Sequence, residues 1–263
     1  MALSLPGALF LIDFVREYRE KEREGLLISL FRNAGGVLYR HRFFYYPFIL
    51  ASLLGGFYYI FFRGASDRVI AGWKWWGDSA YANFLTVAAV LFHYVKLMIF
   101  PVALSADYSF NAFPIAESLW EPRVLLSIAV LAALAFITVR WLSRNRVLAL
   151  GSAWFFLTLL PVSQIIPHHE LLAEHYLSLP SVGFCLLVGW VLAVRTTPWP
   201  QSGKGILMGS YAVLLLLIVV WSARTIARNP DWRSDKVLWT KTARTMPNSF
   251  RAQFNLGNLL REE

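Results

Sequence analysis

Residues 43–62, 124–142, 147–166, 177–194 and 205–223 are apolar along almost their whole length. Runs approaching the ~20 apolar residues that cross a bilayer predict membrane helices. The opening run, Ala2 to Val15, is too short to span alone. It lacks the basic start and small-residue cleavage site of a signal peptide, and it looks like the end of a span whose beginning lies outside the chain. Residues 81–101 contain His93 and Lys96 and stop at Pro101. That mixture suits a helix lying in the interface, or a re-entrant segment, better than a clean crossing. After Ala223 the pattern becomes that of ordinary soluble chain. The expected fold is all-α: a polytopic bundle of about five to six spans with interfacial helices, over residues 1–223. A soluble helical tail follows over 224–263.

Composition agrees. The 263 residues are 57% hydrophobic and 16% charged, whereas soluble domains run at about 45–50% and about 25%. Eleven Trp and eleven Tyr supply aromatic belts at headgroup level; Trp73, Lys74, Trp75 and Trp76 form one such anchor. The lone Cys185 excludes an intrachain disulfide. The formal charge of +9 does not signal nucleic acid, because the basic residues sit between apolar runs as the positive-inside rule requires. Arg16, Arg19, Lys21, Arg23, Arg32, Arg40 and Arg42 place 16–42 in the cytoplasm, and the stretch Glu17–Glu24 reads as a solvated helix. Arg140, Arg144, Arg146, Arg195 and Lys204 fall on the same side if 81–101 does not cross. Residues 63–123, 167–176 and everything beyond 223 then face outward.

The densest chemistry lies in LLPVSQIIPHHELLAEHYLSLPSVGF, residues 159–184. It crowds His168, His169, Glu170, Glu174, His175 and Tyr176 between two apolar runs. Ionisable groups at a membrane surface are costly unless they bind or react with something. Pro180 and Gly183 are expected to disturb the first turns of the following span and leave room for a pocket beside Glu174. Plainer readings exist. His168 and His169 need only be solvated, and Lys96 need only snorkel. Asp107 would then cap a turn, His93 would sit at the interface, and Glu174 would clamp His175 or Arg123. A zinc site from His168, His169 and His175 is not expected, since adjacent histidines serve one tetrahedral ion poorly.

In the tail, Leu256, Gly257 and Leu260 match the L-G-x2-Y core of a tetratricopeptide repeat with Leu for Tyr. Gln253 stands where that repeat has Trp, and Phe254 offers an aromatic one position later. Trp239 and Pro247 fit the preceding unit. Gly257 is expected where paired helices approach closely. About three repeats are needed to bury a face, so the natural protein is expected to continue past Glu263.

Taken together, LFHYVKLMIFPVALSADYSF (91–110), LPVSQIIP (160–167), AEHYLSLPSVGF (173–184) and NPDWRSDKVLW (229–239) resemble the transmembrane and tetratricopeptide-repeat-containing (TMTC) proteins, in their bacterial-type form. The resemblance implies a C-type glycosyltransferase membrane domain. Such an enzyme takes a sugar from a polyprenyl-phosphate carrier and gives it to an acceptor, in protein O-glycosylation, on the non-cytoplasmic side of a bacterial inner membrane. The family's acidic motif in the first outward loop is not in this chain, and Ser178 stands where the family commonly has Tyr. The chain is therefore expected to be a fragment that is inactive alone.

On that resemblance, Glu174 is the first candidate carboxylate to activate an acceptor hydroxyl and Asp107 the second. His168, His169, His175 and Lys96 are candidates to hold the phosphate, and Tyr176 and Tyr108 to meet the sugar. The implied partners are the bilayer, the lipid-linked sugar donor, and a protein acceptor or a partner held by the repeats. No metal or further cofactor is implied. Two other functions fit less well: a non-catalytic membrane anchor presenting repeats, and a carrier of lipid-linked sugars.

Overall fold

The computed structural model describes residues 4–19, 25–58, 75–108, 112–165, 170–194 and 203–262. All regular structure among them is helical. The helices are α1 (Ser4–Glu17), α2 (Leu26–Arg40), α3 (Arg42–Tyr58), α4 (Ala80–Ile99), α5 (Pro122–Arg144), α6 (Arg146–Leu159), α7 (Pro180–Val194), α8 (Gly203–Arg228), α9 (Asp235–Thr245) and α10 (Phe250–Arg261). Short 3-10 turns continue α6 at Leu160–Val162, precede α7 at Glu174–Leu177 and continue α8 at Asn229–Trp232.

Among the described residues, three stretches are long and apolar enough to cross a membrane: Ala80–Ile99, Pro122–Arg144 and Met208–Trp232. The first is the segment whose pattern points to an interfacial or re-entrant helix. It is a helix unbroken for 20 residues rather than a re-entrant turn, half of its apolar window is buried, and Ser79 caps it by accepting from the Ala82 N–H. The last runs nine residues beyond the boundary at 223 that the composition suggests. Helix α8 runs through Arg224 and ends at Arg228, a basic side chain being favourable in a helix's last turn, and the 3-10 turn Asn229–Trp232 continues it.

Helices α6 and α7 are shorter than the runs 147–166 and 177–194 that foreshadow them. They pair through a close backbone approach. A Cβ on Gly183 would strike the Gly151 carbonyl and lie 2.9 Å from the Phe155 nitrogen. Pro180 does not disturb α7. It stands at the first helical position, where a missing N–H costs nothing. Gly183 serves the contact with α6 rather than a break.

The central core joins Val90, Tyr94 and Leu97 of α4 to Phe155 and Leu159 of α6, with Tyr108, Leu171 and Leu172 contributed by connecting segments. A second cluster joins Val15 and Tyr18 to Leu142 and Ala149, and Arg146 donates to the Arg16 carbonyl at 2.8 Å. The basic ends of α1, α5 and α6 thus lie together. Glu17 pairs with Arg40 and His41 there; the rest of the acidic and basic stretch after Arg19 lies outside the described residues.

The tail forms a helix pair, α9 against α10, capped by Ser234 and Ser249. Met246 between them packs onto the central core. A Cβ on Gly257 would meet nothing within 4 Å, so the close helix approach expected there is not made by the described residues.

Candidate functional site

The segment after α6 is tied down before it reaches the polar turn. Gln164 has φ of +63°, a conformation a non-glycine residue holds only when its surroundings fix it. Asn83 donates to its carbonyl at 3.0 Å, the Trp76 indole donates to its side-chain oxygen at 3.1 Å, and its amide donates to the Glu170 carbonyl. Leu171 and Leu172 then drop into the core. The Ala173 N–H donates to the Tyr94 hydroxyl at 3.1 Å. These anchors leave Glu170 and Glu174 on the rim of the segment 101–108.

Glu174 is the hub. The Tyr108 hydroxyl donates to its Oε1 at 2.7 Å, the Ser105 N–H reaches the same oxygen at 2.6 Å, and Arg228 Nη1 stands 3.2 Å from Oε2. Its partner is therefore the end of α8, not His175 or Arg123; Arg123 pairs with Glu121. Burial, then the Glu174 charge, then its hydrogen bond push the Tyr108 phenol well above its ordinary value. Tyr108 is thus held as a proton donor.

Asp107 is buried and does not merely cap a turn. Ser249 Oγ donates to its Oδ2 at 2.7 Å, and Arg251 pairs with its Oδ1 at 3.1 Å. The same Arg251 nitrogen lies 3.3 Å from Glu170 Oε1. The Tyr176 hydroxyl is 3.4 Å from the other Glu170 oxygen. Burial first, then the Glu170 charge, raise the Tyr176 phenol. Glu174, Asp107, Tyr108 and Tyr176 are so gathered with the start of α10 on one face. His175 is exposed beside them, its ring 4.4 Å from that of Tyr176. Lys96 is exposed on α4 and lines neither cavity described next. His168 and His169 lie outside the described residues.

Two cavities meet here. One, about 380 Å³, is lined by Pro101, Leu104, Glu174, Trp221, Arg224, Thr225, Arg228, Asn229 and Trp232. The other, about 350 Å³, is lined by Ser105, Asp107, Tyr108, Glu170, Ala173, Glu174, His175 and Trp232 among others. Glu174 and Trp232 belong to both. A family model described as "Protein O-mannosyl-transferase TMTC, DUF1736" matches residues 77–135, the stretch carrying α4, Asp107, Tyr108 and the first half of α5.

The chain is TMTC-like.

Curated relatives show the same likeness. It is 28% identical over 188 residues to mouse Protein O-mannosyl-transferase TMTC1, an alignment covering 69% of this chain and 20% of the relative. With human Protein O-mannosyl-transferase TMTC4 the figures are 24% over 272 residues, 98% of this chain and 34% of the relative. With the Drosophila melanogaster Tmtc2 protein they are 36% over 115 residues, 43% and 12%. The TMTC-like chain spans between about a tenth and a third of the length of these relatives. No solved structure matches.

Arg224, Arg228, Ser249, Arg251 and Trp232 had no part in the sequence reading of the site. The i, i+4 spacing of Arg224 and Arg228, flanked by Trp221 and Trp232, is the signal available for the first two, since those spacings share a helix face. Ser249 and Arg251 carry no local signal. They reach Asp107 only because the tail folds back.

Proposed function

We propose that this chain is the rear of a membrane glycosyltransferase site that moves a sugar from a polyprenyl-phosphate carrier to a hydroxyl of a protein acceptor, on the non-cytoplasmic side of a bacterial inner membrane. The carrying observation is that Glu174 forms the wall between two cavities, one flanked by arginines and the apolar helix α8, the other by Asp107, Tyr108 and His175. A two-substrate transfer needs such paired compartments. The acceptor oxygen forms a bond to the anomeric carbon, the carbon–phosphate oxygen bond breaks, the phosphate keeps the electron pair, and a carboxylate takes the acceptor's proton.

Within this reading Glu174 has a positioning role as well as a catalytic candidacy. Both its oxygens are engaged, so it holds Tyr108 and Arg228 at fixed places between the compartments. Asp107 is closed off by Ser249 and Arg251, which makes it the weaker carboxylate for an acceptor. The relatives' names, Protein O-mannosyl-transferase, support protein O-glycosylation with a hexose. In membranes containing the full-length protein, transfer from a polyprenyl-phosphate sugar is expected to fall at least about tenfold in Glu174→Gln, the loss of one charge-assisted hydrogen bond being worth ~1.5–3 kcal/mol. Unchanged transfer removes Glu174 from the mechanism. The second reading, a membrane anchor that presents tetratricopeptide repeats to partner proteins, draws on the clamp of Asp107 on Ser249 and Arg251. It expects no transfer from wild type in the same assay.

A further inference from the structure

Arg224 and Arg228 each carry a buried nitrogen without a hydrogen-bond partner among the described residues. Arg224 Nη2 donates to the Val102 carbonyl, but its Nε is buried without a hydrogen-bond partner. Arg228 Nη1 is buried and ion-paired with Glu174 at 3.2 Å, but its N–H geometry closes no hydrogen bond. A buried donor left unmade is expensive, more so when charged. Both side chains line the larger cavity, one turn apart on α8, with Trp221 on the preceding turn of that helix and Trp232 at the end of the 3-10 turn that follows it. The single carboxylate in that lining, Glu174, neutralises one of the two guanidinium charges. One net positive charge remains in the lining of a space of about 380 Å³.

The route into this space is apolar. The 18-residue apolar window within Met208–Trp232 has none of its residues buried. Tyr211, Leu215, Val219 and Val220 are exposed along it, and Phe184 of α7 rests 6.2 Å from the Trp221 ring. A hydrocarbon chain lying on α8 delivers its polar end to the arginines. Guanidinium forks match phosphate oxygens bidentately.

We propose that Arg224 and Arg228 form the seat of a lipid-linked phosphate, with Trp221 and Trp232 as its walls and Glu174 as the residue that positions Arg228. This deepens the transferase reading by assigning the phosphate to α8 rather than to the histidines and Lys96. The binding it describes needs neither sugar nor acceptor.

The test is binding of a fluorescent short-chain polyprenyl phosphate to the full-length protein in nanodiscs of neutral phospholipid. The competitors are unlabelled polyprenyl phosphate, the matching polyprenol and inorganic phosphate. Unlabelled polyprenyl phosphate is expected to displace the probe at least about tenfold more effectively than the polyprenol, the size of one charge-assisted contact. Arg224→Gln, which leaves the Glu174 pair intact, is expected to weaken binding about tenfold. Arg224→Gln with Arg228→Gln should abolish it, while Arg224→Lys should recover part. Thermal melting in the same nanodiscs identifies any variant that has lost its fold, and Arg224→Gln and Arg224→Lys then carry the comparison alone. Equal competition by the polyprenol, or unchanged affinity in folded Arg224→Gln, overturns the proposal. Displacement by inorganic phosphate as effective as by the lipid overturns the lipid part and leaves a free-phosphate site. Arginine-dependent binding in a protein that transfers no sugar leaves the seat standing and removes the transferase reading. Transfer that survives with arginine-independent binding does the reverse.

Discussion

At the scale of single residues, two glycines and one aspartate decide more than their chemistry suggests. Gly183 lies so close to α6 that any side chain collides with the Gly151 carbonyl. Gly183→Ala is expected to cost roughly 1–3 kcal/mol, as overpacking does, and to lower the melting temperature in detergent. Gly77 has φ of +75°, and a Cβ there would lie 2.7 Å from both Ala82 and Ile115; it fixes the turn into α4. Asp107 was legible in the sequence as a candidate carboxylate, but not as the anchor of the tail. Its partners are 142 and 144 positions away in the chain, and no local pattern encodes that.

At the scale of elements, capping and apolar pattern account for most helix positions. Asn145 accepts from the Val147 and Leu148 N–H groups and turns α5 into α6 with no intervening loop. Ser249 does two jobs: it caps α10 through the Ala252 N–H and donates to Asp107. Ser249→Ala therefore loses a cap, worth about 1 kcal/mol, together with a buried hydrogen bond. Limited proteolysis of membranes is expected to release the α9–α10 pair faster from Ser249→Ala than from wild type. Ser234→Ala, which removes a cap without touching Asp107, should have the smaller effect. Equal release from both variants means that the contact with Asp107 holds nothing. For helix α4 the polar residues and the helix length point different ways. His93 and Lys96 argue against a crossing, yet α4 is long and apolar enough for one; the His93 ring packs against those of Tyr108 and Phe113, with its Nε2 buried and without a hydrogen bond among the described residues.

At the scale of the whole molecule, the tail, the 101–108 segment and the polar turn form one connected face, while Arg16, Leu142 and Arg146 gather elsewhere. The proposed orientation puts the first group outside the cytoplasm. In a Cys185→Ser background, Ser178→Cys is expected to react with a membrane-impermeant maleimide in intact spheroplasts, and Arg144→Cys only after lysis. The opposite pattern inverts the orientation and with it the compartment proposed for transfer.

The apolar runs by themselves determined that this is a helical membrane protein, because bilayer thickness sets a length that composition must meet. The same local text offered Glu174, Asp107, Tyr108 and Tyr176 as polar groups out of place. Their partners were decided only when the chain closed up. Arg228 reaches Glu174 because α8 returns antiparallel to α7, and Arg251 reaches Asp107 because the tail folds onto the bundle. Ion pairs between residues far apart in sequence leave no periodicity to read, so the arginine-lined cavity belongs to the tertiary structure alone.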